Sequence, residues 1–127
     1  MLLAFLTTSC SVCGPFWQAL AHDDLVAGYG ARLVVVTPSP ALEDRAAAEA
    51  LVPAGVRLHM SSSTWFAYGV GQAGTFVLAA WAPGAPPPWE EPGRALGHAS
   101  ITSPGELRGL LARWFAQGDR PGTTSQA

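Results

Sequence analysis

The sequence has no lysine and no asparagine, one isoleucine at Ile101, and two cysteines, Cys10 and Cys13. All seven cationic residues are arginine, a usage that reflects codon bias in a GC-rich genome more than physics, so the alanine-rich stretches carry little structural information. Charged residues make up only 13% of the chain and the formal net charge is −2, which leaves neither the basic surface that nucleic-acid binding needs nor an acidic tail for a disordered partner arm. Two cysteines are too few for a disulfide-stapled scaffold and too few for a four-thiolate zinc site. No stretch approaches the roughly 20 apolar residues of a membrane-spanning helix. There is no internal repeat, and 127 residues have room for one core and not for two.

What is present is an alternation of apolar runs and amphipathic stretches. Residues 2–6, Leu-Leu-Ala-Phe-Leu, form a continuous apolar run, the pattern of a strand buried on both faces at the centre of a sheet. Residues 1–10 lack the positive leading region of a secretory signal and their apolar run is too short for one, so the expectation is a strand with no leader. Val12, Phe16, Leu20 and Leu25 recur at near-helical spacing over 11–27, with Pro15 in an early turn and Gly28 and Gly30 as stops. A second buried strand is expected over 32–36, cut off by Pro38 and Pro40, then a helix over 41–51 with Glu43, Asp44, Arg45 and Glu49 on its wet side. A third strand over 56–60 leads to Ser61-Ser62-Ser63, which can cap a short helix over 64–68.

That β-α-β-α-β order argues for a parallel sheet with right-handed crossovers. Residues 75–81 are the strongest later strand, and residues 83–93 are a proline-rich loop expected to be too polar and too kinked to pack. Residues 94–101 return as a hairpin partner. Ser103-Pro104-Gly105-Glu106 is a capping box for a helix carrying Leu107, Leu110, Leu111, Trp114 and Phe115. The expected division is one domain over 1–116 and a disordered tail over 117–127.

The chemistry concentrates in Cys10-Ser11-Val12-Cys13, which follows the first strand and opens the first helix. Free N–H groups and the positive dipole end of a helix favour an anion, so a cysteine there ionises more readily than its ordinary pKa of about 8.5 allows, and the thiolate can attack a disulfide. Against this stand two blander readings: free cysteines as small buried apolar residues, and a Cys-x-x-Cys that holds a metal or a structural disulfide. His22-Asp23-Asp24 reads as a solvated patch at a helix end, and His59 and His98 read as structural because no carboxylate or cysteine stands at ligand spacing. The Trp65, Phe66, Tyr68 group and the Trp114, Phe115 pair read as packing. Gly69, Gly71 and Gly74 precede a strand rather than a helix, so no phosphate cradle and no nucleotide cofactor is expected, and no resident metal.

Three stretches together resemble the thioredoxin superfamily: the Cys10/Cys13 junction, residues 68–78 running through Ala73-Gly74-Thr75 into a strand, and residues 93–107 as last strand and closing helix. The similarity spans roughly 1–115. Within it the chain looks most like the thiol–disulfide oxidoreductases that serve cytochrome maturation and methylamine-dehydrogenase assembly, grouped with the alkyl hydroperoxide reductase/thiol-specific antioxidant proteins, whose insertion matches the helix and strand over 41–60. The resemblance implies a thioredoxin-like three-layer α/β/α fold with a central mixed sheet, in the order β-α-β-α-β-(α)-β-β-α. It implies Cys10 as attacking thiol, Cys13 as resolving thiol, and Ser9, Ala73, Gly74 and Thr75 as the substrate-binding surface for a protein or small-thiol partner, without a cofactor.

Three residues depart from the family pattern. Ser9 replaces a tryptophan, Ala4 replaces a buried aspartate, and Gly74 replaces the cis-proline that faces the dithiol. The last implies weaker substrate holding and sulfurs less shielded from soft metals, and Gly74→Pro is expected to raise turnover. Thr7-x-x-Cys10 also resembles the end of the peroxiredoxin motif, which keeps a peroxidase using Cys10 as an alternative. As the chain stands the expected location is cytoplasmic, although relatives are often membrane-tethered and extracytoplasmic.

Overall fold

The computed structural model describes residues 1–10, 13–22, 32–82 and 84–118. It is a mixed α/β fold with a five-stranded mixed sheet and four helices. The elements run β1 (Leu2–Phe5), α1 (Cys13–His22), β2 (Leu33–Thr37), α2 (Arg45–Leu51), β3 (Arg57–Met60), α3 (Ser62–Ala67), β4 (Thr75–Ala79), β5 (Ala95–Ser100) and α4 (Pro104–Gly118). The sheet order is β3-β2-β1-β4-β5. β1, β2 and β3 are parallel, while β4 runs antiparallel to β1 and β5 antiparallel to β4.

The continuous apolar run at the start becomes the middle strand because it can be covered on both faces. Leu2, Ala4 and Leu6 point into one cluster with Phe16, Trp17 and Leu20 of α1 and Leu107, Leu110 and Leu111 of α4. Leu3 and Phe5 point the other way, into Val34, Val36, Val77, Ala79, Val70 and Trp89. Each fully buried leucine or phenylalanine contributes about 1.5–3 kcal/mol, so the alternation over residues 2–6 outweighs any single contact in the sheet. Phe16 and Phe76 meet at 5.2 Å between ring centroids, which pins α1 over β4. α2 packs on α1 and β3, and its Ala48 is fully buried.

The second face corrects the expectation for the proline-rich loop. Rather than standing off in solvent, it lies across the sheet: Trp89 and Pro88 are buried, and Trp89 joins the cluster of Leu3 and Phe5. α3 supplies the grip, with the Thr64 hydroxyl donating to the Trp89 carbonyl at 3.0 Å and the Tyr68 hydroxyl donating to the Pro88 carbonyl at 2.9 Å. Gly93 N–H donates back to the Tyr68 oxygen at 2.8 Å. A proline-rich segment has fewer N–H donors to satisfy, and its rings and carbonyls remain available for covering an apolar face.

Helix starts agree with the capping residues, with two shifts: α3 begins at Ser62 rather than residue 64, and α2 starts late. Ser61 caps α3 by accepting Thr64 N–H at 3.2 Å, and Ser103 accepts Glu106 N–H at 3.2 Å at the start of α4. Glu106 reaches back to Thr102 rather than to the Ser103 amide, accepting its N–H at 2.9 Å and its hydroxyl at 2.7 Å. α2 begins at Arg45 instead of residue 41, because the Asp44 side chain accepts Ala46 and Ala47 N–H and stops the helix there. α4 extends to Gly118. Residues 119–127 of the expected tail and the C-terminal part of the first expected helix, 23–27, with its expected stops Gly28 and Gly30, lie outside the described residues.

Candidate functional site

Because β1, β2 and β3 are parallel and β4 is antiparallel, the loops after the first three strands and the loop before β4 meet at one edge of the sheet. Residues 6–10, residues 38–44 and residues 72–74 therefore share that edge, the usual place for a site in an open α/β sheet.

The segment carrying Cys10 is held from three sides. Leu6 N–H donates to the Val36 carbonyl at 3.1 Å, and the Trp17 indole N–H of α1 donates to the Thr7 carbonyl at 3.0 Å. Thr8 gives its backbone N–H to Glu43 Oε2 at 3.1 Å and its hydroxyl to Glu43 Oε1. Cys13 N–H then donates to the Cys10 carbonyl at 3.1 Å, closing a turn over the dithiol.

The two sulfurs sit in different surroundings. Cys10 is half-buried, whereas Cys13, the first residue of α1, is fully buried; both are free thiols. Burial pushes the Cys13 thiol up to about 12, its contact with Cys10 adds to the rise, and hydrogen bonds from the backbone and side chain of Thr7 work the other way. Burial thus favours the protonated form of the Cys13 sulfur.

The residues expected to bind substrate divide. Ser9 is exposed beside Cys10, and Ala73 packs against the same cluster that Cys10 touches. Gly74 is buried with φ +88°, its N–H donated to the Phe5 carbonyl at 2.9 Å and its carbonyl accepting Ile101 N–H at 3.0 Å. Thr75 is buried, and its hydroxyl donates to the Gln72 carbonyl at 2.8 Å and pairs with the Ser100 hydroxyl at 2.7 Å. Gly74 and Thr75 thus spend these polar groups inside the protein, where they order the edge. The proline expected to improve Gly74 would need φ near −65° and would remove the N–H that Phe5 accepts, so that expectation is corrected.

Two residues at this edge carry more than their sequence pattern indicated. Glu43, assigned to the wet side of a helix, precedes the helix and is only 9% exposed. Thr7, read as part of a peroxidatic pattern, opposes the rise of the Cys13 pKa that burial causes. No periodicity signals a contact between Glu43 and Thr8 across 35 residues of chain; the one clue is that an acidic residue just before an Asp cap faces back toward the preceding loop.

Elsewhere, burial lowers the pKa of half-buried His59, beside Arg57 and Glu90, and His98 is exposed on β5. Asp23 and Asp24 lie outside the described residues. Trp65 and Tyr68 pack on Phe5, and Trp114 packs on Gly97, but Phe66 is 88% exposed. Among the described residues no three His, Cys, Asp or Glu side chains gather as a ligand set; Cys10 and Cys13 supply two donors where a tetrahedral ion takes four. Among the described residues no helix is long and apolar enough to cross a membrane. Comparison with family models, with curated proteins and with solved structures finds no match to this chain.

Proposed function

We propose that this chain is a thioredoxin-like thiol–disulfide oxidoreductase in which Cys10 attacks and Cys13 resolves. The observation that carries the reading is the asymmetry of the pair: Cys10 is half-buried ahead of α1, and Cys13 is fully buried as its first residue, where burial pushes its thiol up. The sheet order, with a parallel half and an antiparallel half meeting at the strand that ends in the dithiol, supports a thioredoxin-like arrangement.

In the proposed cycle the Cys10 thiolate attacks one sulfur of a partner disulfide, forming a mixed disulfide as the other partner sulfur leaves as thiolate and takes up a proton. Cys13 then gives up its proton, helped by the Thr7 donors, and attacks the Cys10 sulfur. The second partner thiol leaves, and the Cys10–Cys13 disulfide remains. Two electrons pass from the dithiol to the partner. A thiol pushed up to about 12 is a poor first attacker, which supports Cys10 acting first and Cys13 second.

The test is trapping. Cys13→Ser is expected to accumulate a mixed disulfide between Cys10 and a disulfide substrate such as insulin, and Cys10→Ser to form none. Equal trapping through either cysteine overturns the role assignment, and the absence of any mixed disulfide overturns the function.

A further inference from the structure

Glu43 is a buried carboxylate that the proposed exchange leaves without a task. A carboxylate removed from water is destabilised by several kcal/mol unless donors replace the lost hydration. Here three donors do so: Thr8 N–H at 3.1 Å, the Thr8 hydroxyl, and, more weakly, Asp44 N–H at 3.3 Å. The ion pair found among the described residues, Arg45–Glu49, lies at the exposed surface, so it is the Thr8 donors and not a cation that hold Glu43. Two of its three donors belong to a residue two positions ahead of Cys10.

We propose that Glu43 is a positioning residue for the dithiol: by taking both donors of Thr8 it fixes the segment over residues 7–10, so that the Cys10 sulfur stays within reach of Cys13. The inference rests on the exchange reading above and adds to it a role for the loop after β2. The coupling is reciprocal, since Glu43 stays satisfied only when Thr8 is in place, and Thr8 is fixed only when Glu43 holds it. Trp17 fixes the Thr7 carbonyl and Cys13 the Cys10 carbonyl, so Glu43 supplies the restraint between those two points. Holding two reacting sulfurs in place raises the effective concentration of one at the other, and that quantity sets how readily the intramolecular disulfide forms.

The experiment equilibrates the full chain with reduced and oxidised glutathione. Protein dithiol and one glutathione disulfide give the Cys10–Cys13 disulfide and two reduced glutathiones: one S–S bond forms, one breaks, and two protons pass to glutathione sulfurs. Glu43→Ala is expected to lower the equilibrium constant for the protein disulfide by about three- to tenfold. Glu43→Gln is expected to restore it to within about twofold, because its amide oxygen accepts Thr8 N–H while its amino group donates to the Thr8 oxygen. Thr8→Val keeps the backbone bond and loses the hydroxyl bond, so it should shift the constant in the same direction by less. An unchanged constant in Glu43→Ala overturns the inference, and so does a shift in Glu43→Gln as large as that in Glu43→Ala, which would mean that charge acts and not the tether. If Glu43→Ala does not fold, an unchanged constant in Thr8→Val decides against it. Wild-type chain that forms no Cys10–Cys13 disulfide removes the exchange reading, and this inference with it; a wild-type disulfide with unaltered variants removes the inference alone.

Discussion

Trp17 donates its indole N–H to the carbonyl oxygen of Thr7 at 3.0 Å, so the first helix grips the chain that leads into Cys10 through a side chain in its second turn. The ring itself is buried against Leu2, Ala4 and Leu6, which makes the bond and the packing separable by mutation. Trp17→Phe keeps most of the apolar contact and leaves the Thr7 carbonyl without this partner. It is expected to reduce unfolding free energy by about 1–3 kcal/mol in urea titration. A Trp17→Phe chain as stable as wild type means that the bond carries no weight.

The Cys13 thiol gives a pH signature. Its folded pKa, pushed up to about 12 by burial, lies above that of an exposed thiol, so between about pH 8.5 and 12 the unfolded chain releases a proton that the folded chain keeps. The contribution is fully present below the unfolded pKa and is lost as pH rises, with a slope of at most about 1.4 kcal/mol per pH unit. Denaturant titration of the reduced protein should show this loss, and Cys13→Ala should remove it. A slope that survives Cys13→Ala belongs to another group.

Gly74 takes φ +88°, where a proline cannot follow and an L side chain is strained. Gly74→Pro is therefore expected to destabilise the fold by about 3 kcal/mol or more, and Gly74→Ala by about 1–2 kcal/mol. Both follow from melting curves. Gly74→Pro with unaltered stability and faster insulin reduction would restore the earlier expectation.

Much of the sheet was legible in the sequence because its strands are short apolar runs bounded by Pro, Gly or Ser, and α3 and α4 announced themselves through Ser61 and Ser103 as caps. The dithiol was legible for the same reason: it sits where an apolar strand gives way to helical spacing. Glu43 was not, since the contact that buries it depends on β1 and β2 pairing in parallel and ending together, which no local pattern encodes. Trp89 was masked by its proline neighbours, because local kinking says nothing of whether Thr64 and Tyr68 stand ready to bind the loop's carbonyls. The positive φ of Gly74 was not legible either, because position in a sequence does not encode φ.

Gly97 on β5 lets Trp114 of α4 lie against the strand: a Cβ there would stand 2.4 Å from Trp114 Cε2. Gly97→Ala must displace the indole, at a cost of about 1–3 kcal/mol. Pairing it with Trp114→Leu should recover part of that loss, so the two changes are expected to be non-additive in denaturant titration. Additive losses would show that the indole is not what limits the strand.

The most direct measurement is the intact mass and free-thiol count of the wild-type chain across a series of glutathione redox buffers. The proposed exchange predicts one two-electron transition between dithiol and an intramolecular Cys10–Cys13 disulfide, with glutathione attached to Cys10 only as a minor intermediate. A chain that stays a dithiol throughout, or that ends with glutathione on Cys10 and a free Cys13, contradicts it.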